Sequence, residues 1–383
     1  MNRPENGIIC LKRQKQYLVL LMSLSAIIEF TIFPYLTLYL KTQLKLSNET
    51  AGLTVGSIAL IAACGAWLGG WLVDRLGWLP MLRLSSLFYG LVFLGLSITM
   101  RSGAVIGLII TLGLCRLLME PALKTALVIH DDENGRLFKL RYMALVGGAI
   151  IGPLLSATLS AYGSQSGFTV AAFLFASYLA MTGLLKKHEA STTKNKTLPL
   201  SVNWRAICLF IALGFIFFLV FSQFETTLSL RLSHVFGADG PFIYRKALLI
   251  NAVLAIPMLQ FTDRMLVFIP LNVQIALGVL SMSLSVWLLF GASHVNWCIY
   301  LGAGFFTFGE VILFPLPEIA MAKLVTKENR GQLMGLVDLR YLGFFFGPAM
   351  GSLLINNPRP VLALTLCALS LTIFPLYLFS TKK

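Results

Sequence analysis

Apolar residues run along this chain in long unbroken stretches, not in the alternation of a half-buried sheet. From Ala51 to Val73 no Asp, Glu, Lys or Arg intervenes, and a helix of that length, rising about 1.5 Å per residue, spans roughly 34 Å, enough for one bilayer crossing. Tyr142 to Leu185 and Met265 to Gly309 are charge-free over nearly twice that length. Each must be two crossings, turning at the breakers between Gly163 and Gly167 and between Gly291 and His294. Continued along the chain, the pattern predicts spans near 17–40, 51–73, 79–100, 104–128, 137–161 and 167–185. After a polar Lys/Thr/Ser-rich stretch the series resumes near 205–230, 241–262, 266–290, 296–323, 332–355 and 360–380. The predicted fold is an all-α membrane protein of twelve transmembrane helices, with one six-helix bundle over 1–185, a cytoplasmic linker over 186–203 and a second six-helix bundle over 204–383.

Composition agrees with a chain that faces lipid. Of 383 residues 57% are hydrophobic and 12% charged, about half the charged share of a soluble domain. The net charge of +14 would invite a nucleic-acid partner if it sat on a polar domain, but no such domain exists. The cations gather before the first span (Lys12, Arg13, Lys15), around the linker (Lys186, Lys187, Lys194, Lys196, Arg205), near Lys323, Lys327 and Arg330, and at Lys382 and Lys383. Counting spans puts all four groups on one face, which the excess of Lys and Arg marks as cytoplasmic, so both termini are expected inside the cell membrane. Tyr17 to Leu40 is too long for a signal-peptide core and lacks a cleavage site.

The six cysteines are scattered without C-x-x-C spacing, and the four histidines, His130, His188, His234 and His294, fall at span ends or loops. These patterns give no metal site and no cofactor site. No H-E-x-x-H, G-x-S-x-G or G-x-x-x-x-G-K-[ST] occurs, so no catalytic residues are assigned. A membrane-embedded enzyme and an ATP-driven pump are both disfavoured.

The two halves match in detail. Asn134, Gly148, Gly152 and Pro153 recur 195 residues later as Asn329, Gly343, Gly347 and Pro348. Arg116-x-x-x-x-Pro121-x-x-Lys124 recurs, 194 residues on, as Glu310-x-x-x-x-Pro315-x-x-Glu318, with the charges inverted. Asp74-Arg75 parallels Asp263-Arg264, and Glu29 parallels Glu225. Equivalent loops fall on one side, so the repeats are parallel, related by a pseudo-two-fold axis along the membrane normal.

Ionisable residues deep in a span are costly and mark function. Residue counting places Arg116 about 18 Å and Glu310 about 21 Å into their helices, near the midplane. Glu120 follows Arg116 by one turn, where an i, i+4 pair of opposite sign can form. Glu29 falls in mid-span and Glu225 nearer an outer end. Lys124 and Glu318, closer to the cytoplasm, are expected to snorkel to the interface. Asp338 and Arg340 are expected to pair locally or with a cytoplasmic gate.

With these features in place the chain resembles the major facilitator superfamily over its whole length. Gly70-Trp71-Leu72-Val73-Asp74-Arg75-Leu76-Gly77 is similar to that family's G-x-x-x-D-R-x-G signature, with Trp78-Leu79 where a basic pair usually follows. Gly148-x-x-x-Gly152-Pro153 resembles the G-x-x-x-G-P signature of its proton-coupled antiporter branches. The resemblance implies a cytoplasmic gate at Gly70, Asp74, Arg75 and Gly77, with Asp74 accepting hydrogen bonds from the N-terminus of a facing helix, where the helix dipole favours an anion. Gly148, Gly152, Pro153, Gly343, Gly347 and Pro348 serve close helix packing or rocking of the halves. Spans one, four, seven and ten line the family's central cavity, which makes Glu29, Arg116, Glu120, Glu225 and Glu310 the candidates for substrate and proton coupling.

The expectation is a monomeric secondary transporter in the inner membrane, moving a small molecule by alternating access and exchanging it for protons. Export of a drug, siderophore or other metabolite is preferred over proton-coupled uptake of an organic solute. A cavity carrying both signs favours amphipathic, zwitterionic or carboxylate-bearing substrates over simple sugars.

Overall fold

A computed structural model describes residues 3–131, 135–162, 165–185, 204–266, 268–291, 295–326 and 328–347. The described residues are helical, with no strand among them. The first six helices are α1 (Arg3–Thr42), α2 (Asn48–Leu76), α3 (Trp78–Ile98), α4 (Ser102–His130), α5 (Arg136–Ala161) and α6 (Ser166–Thr182). α7 (Trp204–Ser222) passes through a π-turn (Gln223–Thr227) into α8 (Leu228–Phe236). Then come α9 (Gly240–Leu266), α10 (Leu271–Val286) with its own π-turn (Trp287–Gly291), α11 (Asn296–Leu313), α12 (Leu316–Ala322) and α13 (Arg330–Leu336). A 3-10 turn (Val337–Tyr341) and helical residues 342–347 follow α13. Asn134, Pro348, the linker at 186–203 and the last expected span lie outside the described residues.

Eight segments among the described residues are long and apolar enough to cross a membrane, and α6 is a shorter apolar helix. One of these segments, Trp204–Met265, is 62 residues long, far more than one crossing needs. Gly237, at φ +55°, breaks it, and α9 packs back against α8. Large apolar side chains such as Leu68, Leu91, Phe173, Phe242 and Val253 point outward, as helices in lipid require.

Two compact units emerge. One comprises Met1–Trp204 together with Met321–Leu339, the other Arg205–Ala320 with Arg340–Lys383. In the first, α1 lies against α5, α2 against α4, α3 against α4 and α6, and α13 against α2 and α4. Pro121 sits inside α4 without ending it, although its missing N–H leaves the Leu117 carbonyl without its helical donor. Gly69 of α2 closes on that carbonyl, so near that a Cβ there would stand 2.0 Å from the oxygen.

Equivalent glycines do equivalent work in each unit. A Cβ on Gly148 or Gly152 of α5 would lie 2.8 Å or less from the backbone of Ala26 and Phe30 in α1. Gly343 and Gly347 likewise abut the backbone of Phe215 and Leu219 in α7. Only residues without a side chain let backbones approach this closely.

Candidate functional site

In the first unit α1, α2, α3, α4 and α6 enclose a cavity lined by Ile32, Tyr89, Phe93, Met119 and Phe175 around three charges, Glu29, Arg116 and Glu120. Glu29 of α1 and Arg116 of α4 form an ion pair with side chains 26% and 17% exposed. Both heads therefore remain reachable from the cavity. Tyr89 stacks on Phe175 at 4.5 Å and 3° between planes, giving one wall a flat aromatic face. The site thus offers both signs of charge beside π surface, a combination that suits a molecule with an apolar ring and an ionised group.

Glu120 is held differently. Its Oε2 accepts from Arg141 Nη2 of α5 at 2.6 Å and lies 3.7 Å from Lys124 Nζ one turn along α4. Lys124 also forms an ion pair with Asp338. Its side chain is fully buried, which corrects the expectation that it snorkels. Two carboxylates within reach satisfy the ammonium inside the protein, so it has no need to extend to the interface.

Asp74, at the last turn of α2, receives two backbone N–H groups at the start of α13. Gly331 donates to Oδ1 at 2.6 Å and Gln332 to Oδ2 at 2.9 Å. Gly70 and Gly331 make the approach possible, since a Cβ on Gly331 would sit 2.3 Å from the Gly70 carbonyl and 2.8 Å from Asp74 Oδ1. Arg75 is exposed and covers the ring of Trp71 at 4.0 Å. Gly77, at φ +94°, makes the turn into α3, a conformation costly for any other residue. Trp78, standing where a basic residue is usual, is buried edge-on against His130, whose ring meets Ala126 O and the Gln14 amide.

In the second unit Glu310 of α11 is buried and accepts from Asn251 Nδ2 at 2.7 Å, the same amide reaching Thr307 Oγ1 at 3.1 Å. Glu225 lies in the π-turn after α7 with an exposed side chain, and its backbone carbonyl accepts from Tyr244. Glu318 and Arg340 are both 1% exposed and paired at 2.5 Å, so Glu318 does not snorkel either. Of the glycine-motif residues, Pro153 lies within α5.

The structure therefore gathers Glu29, Arg116 and Glu120 at one cavity and places Glu225 and Glu310 in the other unit. Tyr89, Arg141, Lys124, Asp338 and Asn251 were not foreseen as partners of the site. A mid-span tyrosine or asparagine carries little signal in hydropathy, and Lys124 and Asp338 are 214 positions apart in the chain. Among the described residues no group of three or more His, Cys, Asp or Glu side chains could hold a metal ion.

Apolar helices packed through glycines around a cavity with buried charges define a polytopic membrane transporter. A sequence profile of the Major Facilitator Superfamily matches residues 18–348, and the chain belongs to that family. It is 27% identical over 339 residues to the "Uncharacterized MFS-type transporter YqjV" of Bacillus subtilis (strain 168), spanning 84% of this chain and 82% of that one. It is 24% identical over 349 residues to the "Multidrug resistance protein MdtH" of Proteus mirabilis (strain HI4320), spanning 88% and 84%. Among solved structures, its fold is similar to the human organic anion transporter MFSD10 (TM-score 0.74, 15% identity, 96% and 99% of the two chains). A bacterial homologue of the iron transporter ferroportin, in its outward-facing state, gives a TM-score of 0.76 at 13% identity over 96% and 99%.

Proposed function

We propose that this transporter is a proton-coupled exporter of amphipathic, ring-bearing solutes, built as two parallel six-helix repeats with both termini cytoplasmic and working by alternating access. The observation that carries the reading is the accessible Glu29–Arg116 pair beside the Tyr89–Phe175 stack. An intramembrane ion pair left open to a cavity supplies a charge for substrate and a carboxylate for a proton. Relatives named as multidrug resistance proteins support export. Glu29, Arg116 and Glu120 take substrate and proton in one unit, Glu225 and Glu310 take part from the other, and Asp74 holds the cytoplasmic side closed.

Proteoliposomes with imposed pH gradients provide the test, using ethidium as an aromatic cation and carboxyfluorescein as an aromatic anion. Exchange of either dye against protons in the outward direction is expected. Glu29→Gln should lower apparent affinity for the cation and Arg116→Gln that for the anion, each by about tenfold for the loss of one charge-assisted contact. Dye movement with the proton establishes uptake instead, and no movement under any gradient rejects the reading. Reporter fusions at Lys194 and Lys383 should both read cytoplasmic.

A further inference from the structure

Lys124 stands at a junction that neither the cavity nor the gate accounts for. On one side is Glu120, which lines the cavity and lies 3.7 Å from Lys124 Nζ. On the other is Asp338, in the 3-10 turn that directly continues α13. The first residues of α13 are the ones Asp74 holds through Gly331 and Gln332. Thus the same short stretch, 330–339, is fastened twice within the first unit, by Asp74 at its start and by Lys124 farther in. The second fastening is shared with a cavity carboxylate.

We propose that Lys124 is the positioning residue through which the charge on Glu120 sets how firmly the gate segment 330–339 is held. The physical basis is the sequence of charges Glu120, Lys124, Asp338, in which a cavity carboxylate and a buried one flank a fully buried cation. With Glu120 ionised, it repels Asp338 and competes for the ammonium. When Glu120 is neutralised, by a proton or by a cationic substrate group, the repulsion and the competition both end and Lys124 belongs to Asp338. Other groups share the surroundings of Glu120: Arg141 from α5, which donates to it, Arg116 one turn back on α4, and Glu29 of α1 and Tyr89 of α3 along the same cavity. Lys124 is a direct link between the cavity carboxylate and the segment, since its ammonium lies against both Glu120 and Asp338. A neutral Glu120 therefore tightens the latch and an ionised one loosens it. This rests on the transporter reading above, but it is tested without any substrate.

The measurement is hydrogen–deuterium exchange of peptides covering 330–339 in the full-length protein in lipid nanodiscs. Glu120→Gln should slow exchange there, and Lys124→Gln should speed it by about tenfold or more, as loss of a buried charged contact allows. The decisive variant is the double substitution. If Lys124 carries the signal, Glu120→Gln has no effect in the Lys124→Gln background, whereas Lys124→Arg, which keeps the charge, preserves the slowing. Equal slowing by Glu120→Gln with and without Lys124 overturns the proposal, as does no change in either background. Thermal unfolding of each variant separates local loosening from loss of fold. If Lys124→Gln does not fold, Asp338→Asn takes its place, with the same loss of response to Glu120→Gln expected and a retained response overturning the proposal. A failure here with dye transport intact removes the link alone, and the reverse outcome removes the export reading alone.

Discussion

Lys124 and Glu318 each stand three residues after a proline in matching stretches of sequence, yet their surroundings differ in kind. Lys124 is fully buried and shared between Asp338 and Glu120, the latter lining a cavity. Glu318 faces Arg340, whose guanidinium lies 5.2 to 5.4 Å from the rings of Phe218, Phe314 and Tyr341 and also donates to the Phe314 carbonyl at 3.1 Å. The preceding prolines differ too. α4 runs through Pro121, whereas the helix is interrupted at Phe314 and Pro315 between α11 and α12. A cation between two anions can shift toward either, while Arg340 is held to Glu318 beneath aromatic rings and to the Phe314 carbonyl. Matching sequence spacing thus accompanies one adjustable joint and one fixed one.

The largest expected effect breaks the fixed joint. Arg340→Leu leaves Glu318 charged and buried without its guanidinium, and should cost about 3–5 kcal/mol of stability, read as a lower thermal unfolding midpoint. Arg340→Leu combined with Glu318→Leu should recover much of that loss, because the cost is that of an uncompensated charge. A single variant that melts like the wild type would remove the contrast between the joints.

Next in size are substitutions at the close helix approach in the first unit. Gly335→Ala would set a Cβ 2.1 Å from the Ala66 carbonyl, an overpacking worth about 1–3 kcal/mol. Gly147→Ala, with nothing within 4 Å of its Cβ position, should unfold at or above the wild-type temperature, since alanine is favoured over glycine in a helix by about 1 kcal/mol. If both alanines behave alike, the packing argument is wrong.

Asp74→Asn keeps the shape but removes the charge and replaces one of the two acceptor oxygens with an NH2 donor, so one backbone bond is lost and the other weakened, at a cost of about 2 kcal/mol. The protein should remain folded, and spin-label distances across the cytoplasmic side should shift toward open states. An unchanged distribution with full transport would make Asp74 a bystander. The smallest effect is expected of Arg75→Ala, whose exposed stacking on Trp71 is worth about 0.5–1 kcal/mol. It should change stability little and leave the spin-label distribution in place.

Charge-free runs were legible as helices because an apolar stretch of bilayer length has few other ways to bury its backbone polar groups. Glycine spacing was legible as well, because it survives in a linear string: Gly148 and Gly152 meet α1 as Gly343 and Gly347 meet α7. Asp74 could be placed at a helix start from its motif. The interruptions of the helices were not legible, and neither were the π-turns at Gln223–Thr227 and Trp287–Gly291. Hydropathy averages over many residues, while a π-turn depends on one extra residue in a single turn.

What the sequence by itself determined is the membrane class, the family through its signature motifs and which ionisable residues lie deep in apolar segments. What only the tertiary structure decided is how those charges are shared. Position along a helix says how far a side chain stands from the interface, and on that ground alone Lys124 and Glu318 were expected to reach for water. Whether a charge does so depends on a counter-charge being nearer than the interface. Asp338 and Arg340 come from chain positions 214 and 22 residues away, and only folding brings them there.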